Sequence, residues 1–342
     1  MARRDLIVIG ASAGGVQALT ELVRGLPASL PASVFVVCHF PAEGRSVLPE
    51  ILSRSGALLA THPADDETVY PGHIYVAPPN HHMLLGPGGN LRVVRGAREN
   101  GHRPAIDPLF RSAGRYFGDR VVGVILTGAQ SDGAAGLIAV RTAGGVAVVQ
   151  DPEDAEIATM PRTAASVAGA DYIVPVARLA SLLVRLVQDQ EPDTGGESEM
   201  DPIDAMPEVV EEDMARQVRG DNRGKRSVFS CPECGGALWQ VDEPDLLRFR
   251  CHVGHAYGAE VLLSEQAEAL EAALWTSVRT FREQSILSRQ LAARERAVGN
   301  PETAARFLEQ AEQAERHGRL IHDHLLKIPG PDEGSAPSPE SN

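Results

Sequence analysis

Uninterrupted apolar runs rich in Val and Ile recur along the N-terminal half of the chain. They are LIVIG (6–10), SVFVVCHF (33–40), HIYVAPP (73–79), VVGVILTG (121–128), GVAVVQD (145–151) and DYIVPV (171–176). Most lack the apolar/polar alternation of a half-exposed strand, and an unbroken run is the pattern of a parallel strand buried on both faces. Helical spacing fills the intervals at Val16–Leu26, Ser46–Ser55, Asp107–Phe117, Ala134–Thr142 and Leu179–Leu186. Strands alternating with helices predict an α/β fold with a doubly wound, mostly parallel, Rossmann-like sheet.

The pattern changes near Gln188. From there to about Arg226 the chain is Asp, Glu, Pro, Gly and Ser with little periodicity, and residues 188–226 read as an acidic, disordered linker. A short Cys/His-bearing segment follows (227–258), then a long helical stretch (259–328). Leu263, Leu270, Leu274, Val278 and Phe281 share one helical face. After Gly299-Asn300-Pro301, a stop and a new start, Phe307, Ala311, Ala314, Ile321 and Leu325 share another. Two amphipathic helices predict an antiparallel hairpin, or a coiled-coil contact with a second copy or a partner. Residues 329–342 read as a disordered tail, and residues 1–187 as one α/β domain.

Charge adds one exclusion. The net charge is −14, but eleven acidic residues and no Lys or Arg lie between Leu186 and Ala215, so the remainder sums to only −3. No extended basic face is visible, which argues against a nucleic-acid partner. No apolar run reaches the ~18–20 residues of a membrane span, and the N-terminus lacks signal-peptide features. The chain is therefore expected to be cytoplasmic, without membrane insertion. In that reducing compartment its four cysteines are more suited to metal than to disulfides.

The first strand runs into Gly10-Ala11-Ser12-Ala13-Gly14-Gly15 and then helix. As a dinucleotide fingerprint the turn fails twice. Ser12 stands where glycine would admit the pyrophosphate, and the second strand ends in His39 rather than an acidic residue. As G-x-S-x-G, the turn offers a serine hydroxyl at the carboxyl edge of the sheet, with helix N-terminal N–H groups nearby for an oxyanion. His39 closes the second strand at the same edge. Asp132 follows a further buried strand, either to cap the helix from Ala134 or to orient His39. Ser12, His39 and Asp132 are thus the candidate nucleophile, base and acid. The order Ser…His…Asp differs from those of the α/β-hydrolases, chymotrypsin and subtilisin.

These segments make a resemblance visible. IGASAGGVQAL, VVCHFP, GHIYVAPPNHHMLL, GHRPAIDPLFRSAG, VGVILTGAQSDGAAGL and VVQDPEDAEIATMPRTA occur in the order found in the catalytic domain of CheB-type chemotaxis protein-glutamate methylesterases, over about residues 4–185. The resemblance implies a hydrolase that cleaves γ-glutamyl methyl esters on chemoreceptors, with Ser12, His39 and Asp132 as its triad. Deamidation of receptor glutamines is implied as a side activity. This chain departs from the usual family pattern at Ala13, where Thr is usual, at Cys38 and Phe40 around the histidine, and at Ala129-Gln130, where Met-Gly is usual. The receiver domain that usually precedes the catalytic domain is not in the sequence, so phosphorylation-gated control is not expected. The competing reading is a non-catalytic signalling adaptor that keeps the fold.

Other side chains complete the expectations. Backbone N–H groups of Ala13 or Gly14, with Ala129, are candidates for an oxyanion hole. Arg103 is either a substrate contact or a loop arginine paired with a carboxylate. His81 and His82 read as loop residues, and Cys38 as a packed thiol. In the C-terminal segment Cys231-Pro-Glu-Cys234 and Cys251-His252-Val-Gly-His255 are two chelating pairs sixteen residues apart. Cys231, Cys234, Cys251 and His255, with His252 the alternative to His255, are expected to hold a structural Zn²⁺ in a zinc-ribbon-like unit. The chemistry itself is expected to need no cofactor.

Overall fold

The structure, a computed structural model, describes residues 4–39, 46–188, 224–243 and 246–327. The acidic linker falls almost wholly outside the described residues, as does the 329–342 tail. The chain divides into two compact units, Met1–Leu262 and Leu263–Asn342.

The first unit is built on a seven-stranded parallel sheet. In chain order its strands are β1 (Leu6–Ala11), β2 (Ser33–Cys38), β3 (Leu59–Thr61), β4 (His73–Val76), β7 (Val121–Ile125), β8 (Val146–Gln150) and β9 (Tyr172–Val174), arranged β3-β4-β2-β1-β7-β8-β9. A separate hairpin, β5 (His82–Leu85) with β6 (Leu91–Val94), lies outside it. The helices are α1 (Gly15–Arg24), α2 (Leu48–Ser55), α3 (Ile106–Phe117), α4 (Ala134–Thr142), α5 (Thr159–Val167) and α6 (Val176–Gln188).

Alternate residues of the inner strands β1, β2, β4, β7 and β8 serve opposite cores, as the two-residue period of a strand requires, while the edge strands β3 and β9 each leave one side open. Ile7, Ile9, Val34 and Val36 join Leu19, Leu22 and Leu183 on one face. Val8, Phe35 and Val37 join Leu109, Phe110, Leu137 and Met83 on the other. That two-sided burial is why the strands read as continuous apolar runs. It confirms the doubly wound α/β expectation.

Local details depart from the sequence reading. The second and fourth strands end at Cys38 and Val76, short of the runs that contain them. Pro78 and Pro79 lack the N–H that a continued ladder needs. The β5–β6 hairpin, β3 and α5 were not foreseen. His82, read as a loop residue, lies on β5 and is buried, with its Nε2 on the Ala97 carbonyl and its Nδ1 accepting from Ala105 N–H.

Beyond the linker, β10 (Lys225–Ser230), β11 (Ala237–Glu243), β12 (Leu246–Cys251) and β13 (Ala256–Gly258) form a four-stranded antiparallel ribbon. Its small core gathers Cys231, Leu238, Phe249, Cys251 and Tyr257 with Val261 and Leu262 from the start of α7 (Ala259–Ala297). The ribbon shares the first unit with the parallel sheet. In the second unit α7 and α8 (Pro301–Leu325) run antiparallel. Trp275 meets His322 edge-on, Phe281 meets His317, and Arg289 pairs with Glu315 at 2.7 Å. The two helices thus pair as the hairpin that was one of the expectations. No helix of the described residues is long and apolar enough to cross a membrane.

Candidate active site and metal cluster

β1 stands between β2 and β7, so the sheet order reverses at the carboxyl ends of β1 and β7. Crevices form at such a switch point. Register sets what reaches it. Ala11 pairs with Cys38 and Gly10 with Ile125, so Ser12 and His39 leave the sheet one residue later at one level. Ser12 N–H donates to the Thr127 carbonyl at 3.0 Å, which ties the serine turn to the segment after β7. Gly14 caps α1 with φ 75°, a left-handed conformation that glycine adopts without strain.

Ser12 Oγ lies 3.1 Å from His39 Nδ1, and His39 Nε2 lies 2.8 Å from Asp132 Oδ2. Ser12 is half-buried, His39 almost fully so, and Asp132 is inaccessible. An ionised carboxylate only accepts, so in the neutral imidazole Nε2 carries the hydrogen and Nδ1 is left to accept from the serine hydroxyl.

Asp132 is not a helix cap. The residue capping α4 is Gly133, at φ 94°, and the N–H groups of Gly133 and, within α4, Gly136 donate to Asp107 Oδ1, at 3.1 and 2.7 Å. Asp132 Oδ2 also accepts from Ile106 N–H at 2.7 Å, and its Oδ1 from Asn100 Nδ2 at 2.8 Å. Burial opposes its charge, but the His39 hydrogen bond, the His39 charge and the Ile106 N–H bring the carboxyl down to about 2. Asp107 is pushed up to about 6 by burial, with Arg248 pulling it back and Asp132 adding to the rise. His102 stacks on His39 at 3.7 Å between ring centroids; burial and the His39 charge bring it down to about 4. Asn100, Asp107 and His102 were missed as members of this network. All three stand in or beside the GHRPAID segment, whose Asn/Gly turn and buried acid were the available signals.

Ala13 and Gly14 follow the serine, and Ala129 lies exposed just beyond β7. Gly128 approaches Ser12 so closely that a Cβ there would come within 2.7 Å of the serine Cβ. Among the described residues Arg103 does not form the carboxylate ion pair that one reading had, although the Glu233 charge acts on it. Its Nε donates to Asn80 Oδ1 at 2.8 Å and its Nη1 to the Gly96 carbonyl at 2.6 Å. Cys38 is a packed thiol, pushed up to about 12 by burial.

A hydroxyl, an imidazole and a carboxylate in hydrogen-bonded series at the switch point of a parallel sheet form the arrangement that serine hydrolases use. The chain belongs to the CheB methylesterase family, whose sequence model matches residues 7–183. A Leptospira interrogans protein with the provisional name protein-glutamate methylesterase/protein-glutamine glutaminase is 40% identical over 54% of this chain and 96% of its own length. Protein-glutamate methylesterase/protein-glutamine glutaminase 2 of Pseudomonas aeruginosa is 37% identical over 54% of each chain. The crystal structure of the Thermotoga maritima CheB methylesterase catalytic domain matches with a TM-score of 0.52 and 30% identity. The match covers 54% of this chain and all of that one. These matches rest on the N-terminal half.

The second candidate site lies in the ribbon. Donor atoms of Cys231, Cys234, Cys251 and His255 all fall within 4.8 Å of one another. Zinc bonds of ~2.3 Å to sulfur and ~2.05 Å to nitrogen make tetrahedron edges of about 3.8 Å between sulfurs and about 3.5 Å between sulfur and nitrogen. Cys234 and Cys251 Sγ are 3.7 Å apart, and His255 Nδ1 is 3.5 Å from both Cys231 and Cys251 Sγ. His255 Nε2 faces Glu233 Oε2 at 3.2 Å, the outer carboxylate that commonly orients a ligating histidine. The residues fit a tetrahedral zinc ion. His252 is exposed and outside this cluster.

Proposed function

We propose that this chain is a cytoplasmic protein-glutamate methylesterase that hydrolyses γ-glutamyl methyl esters on chemoreceptor-like proteins through Ser12, His39 and Asp132. The observation that carries the reading is the continuous hydrogen-bonded series from Ser12 Oγ through His39 to Asp132 Oδ2. As the hydroxyl attacks the ester carbonyl, its proton passes to His39 Nδ1. Asp132 holds the ring by Nε2 and stabilises its cationic form. Backbone N–H groups of Ala13 or Gly14, with Ala129, receive the oxyanion, each donor contributing roughly 3–4 kcal/mol to the transition state. Collapse breaks the C–O bond, and the His39 proton leaves with the methoxy group as methanol. A water then attacks the acyl-enzyme, giving its proton to His39 and, on collapse, returning the hydroxyl to Ser12 and leaving glutamate.

A glutamine side chain would pass through the same acyl-enzyme with ammonia as the leaving group, so deamidation belongs to the same reading. Arg103, with Arg95 and Arg98 adding positive charge around it, suits the acidic surroundings of a receptor methylation segment. Cys231, Cys234, Cys251 and His255 hold a structural zinc ion that closes the ribbon and takes no part in the ester chemistry.

Methanol release from a methylated receptor tests the assignment. Ser12→Ala should release none above background while keeping the wild-type melting temperature. Turnover retained in that variant overturns the reading. A wild-type protein that folds but releases no methanol leaves the adaptor alternative.

A further inference from the structure

The ribbon touches the parallel-sheet domain at the loop that carries the outer partners of Asp132. Asn100 N–H donates to the Ala256 carbonyl at 2.7 Å, and Ala256 N–H to the Arg98 carbonyl at 3.3 Å. Gly258 N–H donates to Asn100 Oδ1 at 2.9 Å. Asn100 is 2% exposed, and its single amide nitrogen reaches two carboxylates, Asp132 Oδ1 at 2.8 Å and Asp107 Oδ2 at 3.1 Å. Carboxylates accept only, so the amide has one workable orientation, with nitrogen toward the acids. The oxygen that results is satisfied by the ribbon.

Charge follows the same route. Arg248 on β12 is 3% exposed, and its Nη2 lies 3.3 Å from Glu99 Oε2 and 3.5 Å from Asp107 Oδ2. Arg250 adds a contact of 3.6 Å to Glu99, and Arg111 of α3 pairs with Glu99 at 2.7 Å. Asp107 and Asp132 are two buried acids sharing one amide donor, and buried acids so placed need a counter-charge. The Arg248 guanidinium of the ribbon supplies the larger part of it, with Arg111 of α3 adding to it.

We propose that the ribbon is a clamp on the catalytic acid: Gly258 fixes Asn100, Arg248 neutralises Asp107, and together they hold Asp132 against His39. Asn100 and Arg248 are positioning residues, acting through Asp132 and touching neither substrate nor Ser12. The clamp rests on the esterase reading of the same site. It makes the turnover of the N-terminal domain depend on a docked ribbon.

The test uses full-length protein with three substitutions: Arg248→Met, which keeps the aliphatic stem, Arg248→Lys, and Asn100→Gly, which suits the positive φ of 50° at that position. Measurements are kcat and KM for ester hydrolysis, the rate of phosphonate labelling at Ser12, and the imidazole N–H proton resonance of His39. The clamp requires kcat and labelling to fall roughly 10- to 100-fold in Arg248→Met and Asn100→Gly. KM should stay within about twofold, the His39 resonance should shift or broaden, and Arg248→Lys should recover part of the rate. A purely structural role would lower the melting temperature and leave the resonance of the folded protein in place.

Should Arg248→Met fail to fold, Asn100→Gly decides alone. Wild-type kcat and an unshifted resonance in a folded Asn100→Gly variant overturn the clamp. Ser12→Ala runs beside them. If it is inactive while the positioning variants are normal, the clamp falls and the esterase stands; if it is active, both fall.

Discussion

Asp132 holds its place because four donors converge on its two oxygens. His39 Nε2 and Ile106 N–H meet Oδ2, while Asn100 Nδ2 and Asp107 N–H meet Oδ1. An Asn at this position would have to turn an NH₂ toward one of those pairs. If it faced His39, the ring would be driven to the other tautomer and Nδ1 would no longer accept from Ser12. Asp132→Asn is therefore expected to lower kcat by roughly 10³- to 10⁴-fold, the scale seen when a triad acid is made neutral, measurable by methanol release. The carboxyl is brought down to about 2 in the fold. Its contribution to stability is thus full above pH ~4, the ordinary range of an aspartate, and is lost as pH falls toward 2.

His102 works in a higher window. Its folded value is about 4 against an ordinary 6.5, so between these pH values the unfolded chain binds a proton that the native ring does not. Stability from this group is complete above pH 6.5 and falls by about 3 kcal/mol toward pH 4. Urea unfolding at pH 7 and pH 4.5 should show a smaller difference in His102→Gln than in wild type; an equal difference would contradict it. Asp107, raised to about 6, pulls the opposite way over part of that range, which is why the variant must be compared with wild type.

At the scale of elements, the hydrogen-bonded series of Ser12, His39 and Asp132 is a product of register and close packing. β1 lies near enough to α3 that a Cβ on Gly10 would sit 2.5 Å from Ile106 Cγ2. Both positions are fully enclosed by core, and Ile106 N–H is one of the donors that hold Asp132. Gly10→Ala is expected to destabilise the protein by about 1–3 kcal/mol and to reduce kcat. Chemical denaturation and methanol release measure the two effects; an unchanged midpoint would show that the helix gives way freely.

The elements differ in how openly the sequence declares them. β1, β2, β7 and β8 are buried on both faces, so hydrophobicity alone marks them, and the site residues follow at their ends. β5 and β6 are four-residue strands in a Gly/Asn-rich stretch, too short for a period to emerge. α5 holds Met160-Pro161, which reads as a break although Pro161 falls in the first turn, where its missing N–H costs nothing. His82 is buried by that same unforeseen hairpin.

In the whole molecule, two sites that look independent in the sequence are joined. The clustering of Cys231, Cys234, Cys251 and His255 was legible because chelating pairs impose local spacing. The docking of the ribbon was not legible, because Gly258 and Asn100 are 158 positions apart and no periodicity reports such a pairing. Arg248, buried between Leu247 and Phe249 on a short strand, was the only local hint of a charge with a distant partner. His255 directly precedes Ala256, which bonds the 98–100 loop, so the metal cluster and the clamp share one strand end. Zinc removal by a chelator is expected to raise hydrogen exchange over 246–258 and, through the clamp, to lower kcat. Lost zinc with unchanged exchange and turnover would separate the two sites.

In the proposed reaction Ser12 is the nucleophile and His39 its base. Mass spectrometry of the intact protein after reaction with a fluorophosphonate reads both roles at once. One adduct on the peptide bearing Ser12, absent or greatly slowed in His39→Gln, is the expected result. An adduct on another residue, or equal labelling with and without His39, would contradict it.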